Sequence, residues 1–308
     1  MVKTLYKDRE AILLENEQIA AKIIPNPGGK LASLVNRSDG FEFLVQKDWP
    51  AYRPGEYDKL FVDAECSGFD DMFPTIDPCH CEQAPWRGTV MPCHGEVWSL
   101  PWTAEEKSGG VALGVDGVRF PYRLEKTVRF ASDSVLSYDY RLTNKSPFDF
   151  DYLWAGHLMI NLMEGTKITI PEKCRRAVTV LSAGSRKFGD VQTWPDFLDR
   201  ENRPYRADIV RSKSARAFEK FYFMEKLDGG FCSLDYPNGR KLTIRFSGSA
   251  VPYLGLLVNE NEWDNLYNII IEPCSIGFDR PDTAKRFGQL STLPGGSERI
   301  WRLEIELL

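Results

Sequence analysis

The chain has 308 residues, with 39 Lys+Arg against 44 Asp+Glu and a formal net charge of −5. A mildly acidic chain lacks the basic stripe that displaces counterions from phosphates, which argues against nucleic acid as a partner. Its 43% hydrophobic and 27% charged content is that of a globular protein able to bury a sizeable core, not of a disordered one.

No apolar run approaches the ~18 residues that a membrane span requires, and Lys3, Lys7 and Arg9 are followed by no apolar stretch of a secretory leader. A cytoplasmic location without membrane contact is therefore expected. In chain order, strands are expected at Ala11–Leu14, Ile19–Ile24 and Phe120–Phe130. From Ser134 to Thr143 the period is two: Leu136, Tyr138, Tyr140 and Leu142 fall on one side, Ser137, Asp139, Arg141 and Thr143 on the other. Further strands are expected at Phe150–Ile160 and Phe218–Met224. Leu242, Ile244 and Phe246 alternate again, directly after Pro237-Asn238-Gly239, a turn whose Asn and Gly tolerate positive φ. Tyr253–Val258 and Leu266–Ile271 follow. At the C-terminus Trp301, Leu303, Ile305 and Leu307 oppose Arg302, Glu304 and Glu306.

Almost nothing long reads as helix. Strand after strand without intervening amphipathic helices predicts an all-β fold: one large antiparallel β-sandwich spanning 1–308, with two packed sheets. Pro50–Pro101 and Ser185–Arg216 resist a strand reading and are expected to be long ordered loops, a length that is uncommon unless functional.

Seven cysteines without the spacing of a small secreted scaffold are expected to be reduced thiols. Cys79-His80-Cys81 lacks the second ligand pair of a zinc site, so no metal is expected.

The chain holds three histidines. His94 precedes Gly95, whose freedom of φ allows a sharp turn or a close backbone approach. His157 lies in an apolar, strand-like stretch, where a core histidine is the bland alternative. Glu272 ends the run Asn268-Ile269-Ile270-Ile271. A carboxylate there is costly unless paired, so a cationic partner is expected, either a protonated His or an arginine.

His94-Gly95 with Trp98, Gly156-His157 and Glu272-Pro273, in that order, together with Ser67-Gly68-Phe69-Asp70-Asp71-Met72-Phe73-Pro74, resemble the aldose 1-epimerase, or galactose mutarotase-like, family. The resemblance spans most of the chain. It implies a galactose mutarotase-like supersandwich whose concave sheet binds a monosaccharide, an aldohexose or a derivative. It also implies that His157 is the general acid, Glu272 the general base and His94 a sugar-holding residue, with no cofactor. Anomer exchange needs two proton transfers, one at the C1 hydroxyl and one at the ring oxygen, and a carboxylate with an imidazolium would supply both.

Trp98, Trp154 and Tyr253 are candidate aromatic platforms for a pyranose, and Asp71 and Arg87 candidate hydroxyl contacts. Asp279-Arg280 is a candidate orienting element for Glu272. Three other readings stand beside this one. A hexose-6-phosphate 1-epimerase would recruit Arg87, Arg175 and Arg176 for the phosphate. A catalytically silent carbohydrate-binding protein would bind without exchange. A sugar hydrolase or lyase on a related sandwich ranks last, because a glycosidase usually needs two carboxylates and only Glu272 has a convincing context.

Overall fold

The computed structural model describes residues 2–107 and 109–308. A fourteen-stranded sheet starts at the edge strand Val2–Tyr6 and crosses Arg9–Glu15, Ile19–Ile24, Lys30–Asn36, Phe69–Met72, Ala155–Asn161, Tyr267–Cys274, Tyr253–Glu260, Ala217–Phe223 and Arg176–Ser182. An eight-stranded sheet packs on it, in the order Lys167–Thr169, Gly229–Asp235, Lys241–Ser247, Glu298–Leu307, Val135–Asn144, Tyr122–Ser132, Gly110–Asp116 and Thr103–Lys107. Neighbouring strands in both pair antiparallel. The all-β sandwich is therefore as expected from the alternation.

Period two decides which side chains meet between the sheets. Leu136, Tyr138, Tyr140 and Leu142 are buried there with Trp301, Leu303, Ile305 and Leu307, and they pack against Phe69, Leu158, Ile269 and Ile271 of the larger sheet and against Trp154 just before it. The turn at Asn238-Gly239 joins Gly229–Asp235 to Lys241–Ser247, with Gly239 at φ 87°. Alternate residues of the larger sheet point away from the smaller one. They form a second apolar cluster with Met72, Ala155, Met159, Tyr222, Tyr253, Ile270 and Cys274, covered by Phe61, Cys66 and Trp98.

Three expectations are corrected. The stretch Phe150–Ile160 breaks after Tyr152: Phe150–Tyr152 joins a separate ribbon with Ser291–Leu293, and the large-sheet strand begins at Ala155. Pro50–Pro101 holds the strand Phe69–Met72, inserted between Lys30–Asn36 and Ala155–Asn161. Its Phe-Asp-Asp-Met sequence does not read as a buried strand because two carboxylates occupy its middle. Each is neutralised from a different side: Asp70 by Lys30 at 2.8 Å on one face, Asp71 by Lys126 of the smaller sheet at 2.6 Å on the other. Finally, Ser185–Arg216 is not all loop, since Val191–Thr193, Asp196–Leu198 and Pro204–Arg206 extend the large sheet. Among the described residues no helix is long and apolar enough to cross a membrane.

Candidate active site

Strand register lays a polar row across the outer face of the large sheet. His157 stands opposite Asp70 on one side, and the pairs Ala155↔Cys274 and Leu158↔Ile271 set it beside Glu272 on the other. Glu272 in turn faces Gly255, and Gly255 faces Tyr222. Gly255 is what lets the row close. A Cβ there would lie 2.6 Å from the Tyr222 ring, so glycine leaves the space through which the phenol reaches across a whole strand. Its Oη lies 2.9 Å from Glu272 Oε2 and 2.6 Å from Asp279 Oδ1. Lys220, two residues before Tyr222 and on the same face, places Nζ 3.0 Å from Glu272 Oε1 and 2.7 Å from Asp279 Oδ1.

His157 Nε2 is 3.9 Å from Glu272 Oε1, and His157 Nδ1, buried, has no hydrogen-bond partner. His94 sits in a left-handed turn at φ 58° with Gly95 at φ 75°, and a Cβ at Gly95 would fall 2.0 Å from Phe73 O. The turn thus seats directly on the Phe73 backbone, which turns the His94 ring over the sheet. That ring is edge-on to His157 at 5.5 Å, and its Nδ1 lies 3.2 Å from Cys93 Sγ.

Phe61 closes the face. Its ring stacks on His94 at 4.4 Å and 9°, and stands edge-on to His157 and to Trp98, each at 5.1 Å. His157 is 4% exposed and Glu272 0%. The segment that carries Phe61 is fastened through Tyr57, whose hydroxyl donates to Glu96 at 2.6 Å. Glu96, fully buried, also accepts from Tyr122 Oη at 2.9 Å and from the Arg119 and Val118 amides at 2.9 and 3.3 Å. A cleft of about 380 Å3 lies elsewhere; Arg186, Tyr205, Arg211, Glu219 and Glu260 line it, and none of His94, His157 or Glu272 does.

Of the residues singled out from sequence, His94, His157, Glu272, Trp98 and Tyr253 share this outer face. Trp98 donates its indole N–H to Cys93 O. Asp71 and Trp154 do not share it: both point between the sheets, where the Trp154 indole donates to Asp71 Oδ1 at 3.0 Å and Lys126 pairs the same carboxylate. Adjacent residues of a strand face opposite ways, so His157 has Asp70 as its lateral neighbour and not Asp71. Arg87 is exposed and donates to Glu82 O, while Arg175 donates to Glu172 O and Arg176 pairs with Glu225. Asp279 does reach Glu272, through Tyr222 and Lys220, whereas Arg280 turns to Asp282.

Lys220 and Tyr222 were not anticipated. The signal for Lys220 was present, since a lysine inside the aromatic strand Ala217–Phe223 requires a buried acid to face. It also corrects the charge expected at the pair. Burial pushes His157 well below the ordinary imidazole value, with His94 and Lys220 adding to the effect, and holds His94 at about 3. Burial raises Glu272, which Lys220 opposes. Burial alone would lower Lys220, but the Asp279 and Glu272 charges outweigh it and hold the ammonium above its usual value. The cation held against Glu272 is therefore Lys220. Among the described residues no His/Cys/Asp/Glu group has metal-site geometry; Cys79 and Cys81 are buried while His80 between them is exposed.

The same sandwich of two antiparallel sheets is found in solved structures, some of them named galactose mutarotase-like. The Slr1438 protein of Synechocystis sp. PCC 6803 superposes with a TM-score of 0.73 at 14% identity, over 100% of this chain and 99% of that one. A galactose mutarotase-like protein from Lactobacillus casei gives 0.66 at 20% identity, over 97% and 100%. A galactose mutarotase related enzyme from Lactobacillus acidophilus gives 0.69 at 13%, over 97% of each chain. No protein-family model and no curated protein sequence matches the chain.

Proposed function

We propose that the chain is an aldose 1-epimerase-type isomerase that interconverts the anomers of a hexose by opening and reclosing its hemiacetal ring. The observation that carries this is the placement of His157 and Glu272 side by side on one floor, 3.9 Å apart. The two reacting oxygens of a hemiacetal hang from the same carbon, so the groups that exchange protons with them must be neighbours on one surface and not opposite walls of a cleft. One group gives a proton to the ring oxygen as the C1–O5 bond breaks. The other takes the C1 hydroxyl proton as the carbonyl forms. After rotation about C1–C2 the two transfers run backwards on the other carbonyl face.

In this reading the sugar takes the place now filled by Phe61, with His94, Trp98 and Tyr253 around it, and the segment bearing Phe61 lifts to admit it. Arg87, Arg175 and Arg176 are engaged away from this floor, which favours an unphosphorylated sugar over a hexose 6-phosphate. The test is exchange NMR or polarimetry over a panel of aldoses and their 6-phosphates, comparing the parent with His157→Ala and Glu272→Gln. Each substitution is expected to lower turnover by ~10²–10⁴-fold, the range of a lost acid–base group. Exchange at the parent rate in both variants would remove the pair from the chemistry, and sugar binding without exchange by the parent would make the chain a carbohydrate-binding protein.

A further inference from the structure

The strand Ala217–Phe223 offers its two faces to different chemistry. Lys220 and Tyr222 point to the floor that holds Glu272, whereas Glu219 and Phe221 point the other way, to the side that faces the smaller sheet. On that side lies the cleft of about 380 Å3, at the small end of the ~300–1,000 Å3 of small-molecule sites. Residues 183–216 supply most of its wall.

Two buried carboxylates from neighbouring strands stand at its base: Glu219, 7% exposed, and Glu260, 4%. A guanidinium clamps each. Arg186 donates through Nε and Nη2 to Glu219, both at 2.6 Å, and Arg211 through Nε and Nη2 to Glu260 Oε2 at 2.9 and 2.6 Å. Buried pairs of this kind hold a core together no better than apolar residues would, so stability does not account for two of them at the base of an open cleft.

The lining carries five arginines against four acids, and every one of those acids is paired with an arginine. An anion would come up against Glu219 and Glu260 and a cation against Arg186 and Arg211, so the near balance selects a neutral ligand. A flat heterocycle has no open ring to stack on. The Arg211 guanidinium lies 4.0 Å over the centre of the Tyr205 ring, Phe221 is packed among Trp194, Phe197 and Phe223, and Phe218 turns to Trp263. What is left open is hydrogen-bonding edge. Among the described residues the Tyr205 hydroxyl and Arg211 Nη1 have no partner, Glu219 Oε2 and Glu260 Oε1 each accept a single bond, and Ser212 and Ser214 share one between them. Donors and acceptors side by side, fixed in place and almost neutral in sum, suit hydroxyl groups, each of which donates and accepts at once.

We propose that this cleft is a binding site for a neutral mono- or disaccharide, separate from the floor around His157 and Glu272. Ligand hydroxyls donate to Glu219 and Glu260 and accept from Arg211 and Tyr205. The proposal stands apart from anomer exchange: a sugar in the cleft meets Glu219 and Tyr205 and none of Lys220, Tyr222 or Glu272.

Methyl NMR of Ile-, Val- and Met-labelled protein tests this, because Ile209, Val210 and Val258 line the cleft while Met72, Met159 and Ile270 lie on the floor's own face. Titration with glucose, galactose, maltose and lactose is expected to give saturable shifts in the first set with at least one of them, and glucose 6-phosphate and glucuronate are expected to bind there more weakly. Tyr205→Phe, which removes only the free hydroxyl, is expected to weaken that binding about 2–10-fold, the worth of one hydrogen bond, and Ala215→Trp, which fills the cleft from its wall, to abolish it. No shift in the cleft with any neutral sugar, shifts confined to Met72, Met159 and Ile270, tighter binding of the anions, or parent affinity in Tyr205→Phe would each overturn the proposal. Should Ala215→Trp fail to fold, the Tyr205→Phe comparison decides. Separate reporters for cleft and floor make the outcome independent of whether the protein exchanges anomers.

Discussion

Gly255 is the residue on which the polar row depends, because the Tyr222 side chain passes over it to reach two acids on the far side. A methyl at position 255 must push the ring aside. Gly255→Ala is expected to cost about 1–3 kcal/mol, the range for overpacking a tight site, measured by urea unfolding. A second change that shortens the side chain, Tyr222→Leu, should recover part of that loss in the double variant; strictly additive losses would show that the two positions do not compete for space. At this scale the sequence was informative about His94, His157 and Glu272, whose order and neighbours carried the family resemblance. It misassigned Asp71 because two adjacent carboxylates are alike as text, and only strand parity tells which of them faces Lys126 between the sheets and which lies beside His157.

Among elements, the segment that leads to Phe61 has the most direct bearing on the proposed activity. Its one-turn helix, Phe61–Asp63, sets an aromatic ring flat on His94 where a sugar face would lie. If displacing that ring is part of binding, the apparent affinity carries the cost of opening. Phe61→Ala is accordingly expected to lower KM for any aldose the protein accepts, while losing no more stability than the ~3–5 kcal/mol of a buried Phe truncation. An unchanged KM would place the sugar somewhere else. The strand Phe69–Met72, which supports this region from below, was hidden in the sequence by its own chemistry. A strand is legible when apolar and polar residues alternate, and here the polar residues are buried on both faces, each by a lysine more than thirty positions away. The strands of the smaller sheet, with one face in solvent, show the alternation openly.

For the molecule as a whole, the buried imidazoles tie stability to pH. Burial lowers His94 to about 3 and His157 well below the ordinary value, so below ~6.5 the unfolded chain takes up protons that the folded chain refuses. The contribution is complete above that value and is lost as pH falls, at no more than ~1.4 kcal/mol per unit for each histidine. Glu272 and Asp70, both raised by burial, work in the opposite sense, favouring the fold at low pH and losing that contribution as pH rises. Comparison with His94→Gln isolates one term: the parent's advantage in urea should shrink as pH goes from 7 to 5, and an advantage independent of pH would contradict a neutral buried His94. Sheet order and the pairing of distant lysines with acids were beyond reach of the sequence, because antiparallel neighbours here are separated by anything from two residues to more than a hundred.

Glu96 ties together parts of the chain that otherwise belong to different layers. Its two oxygens hold the Tyr57 hydroxyl of the covering segment and, at the same time, the hydroxyl and amides of the corner from Val118 to Tyr122 that leads into the smaller sheet. The cover over the histidines is thus tied to the opposite layer of the sandwich as well as to the sheet it lies on, where Lys30 donates to Glu65 O. If the cover lifts to admit a sugar, as proposed, it must also let go of that remote corner, so a substitution between Val118 and Tyr122 is expected to change sugar affinity while leaving His157 and Glu272 untouched.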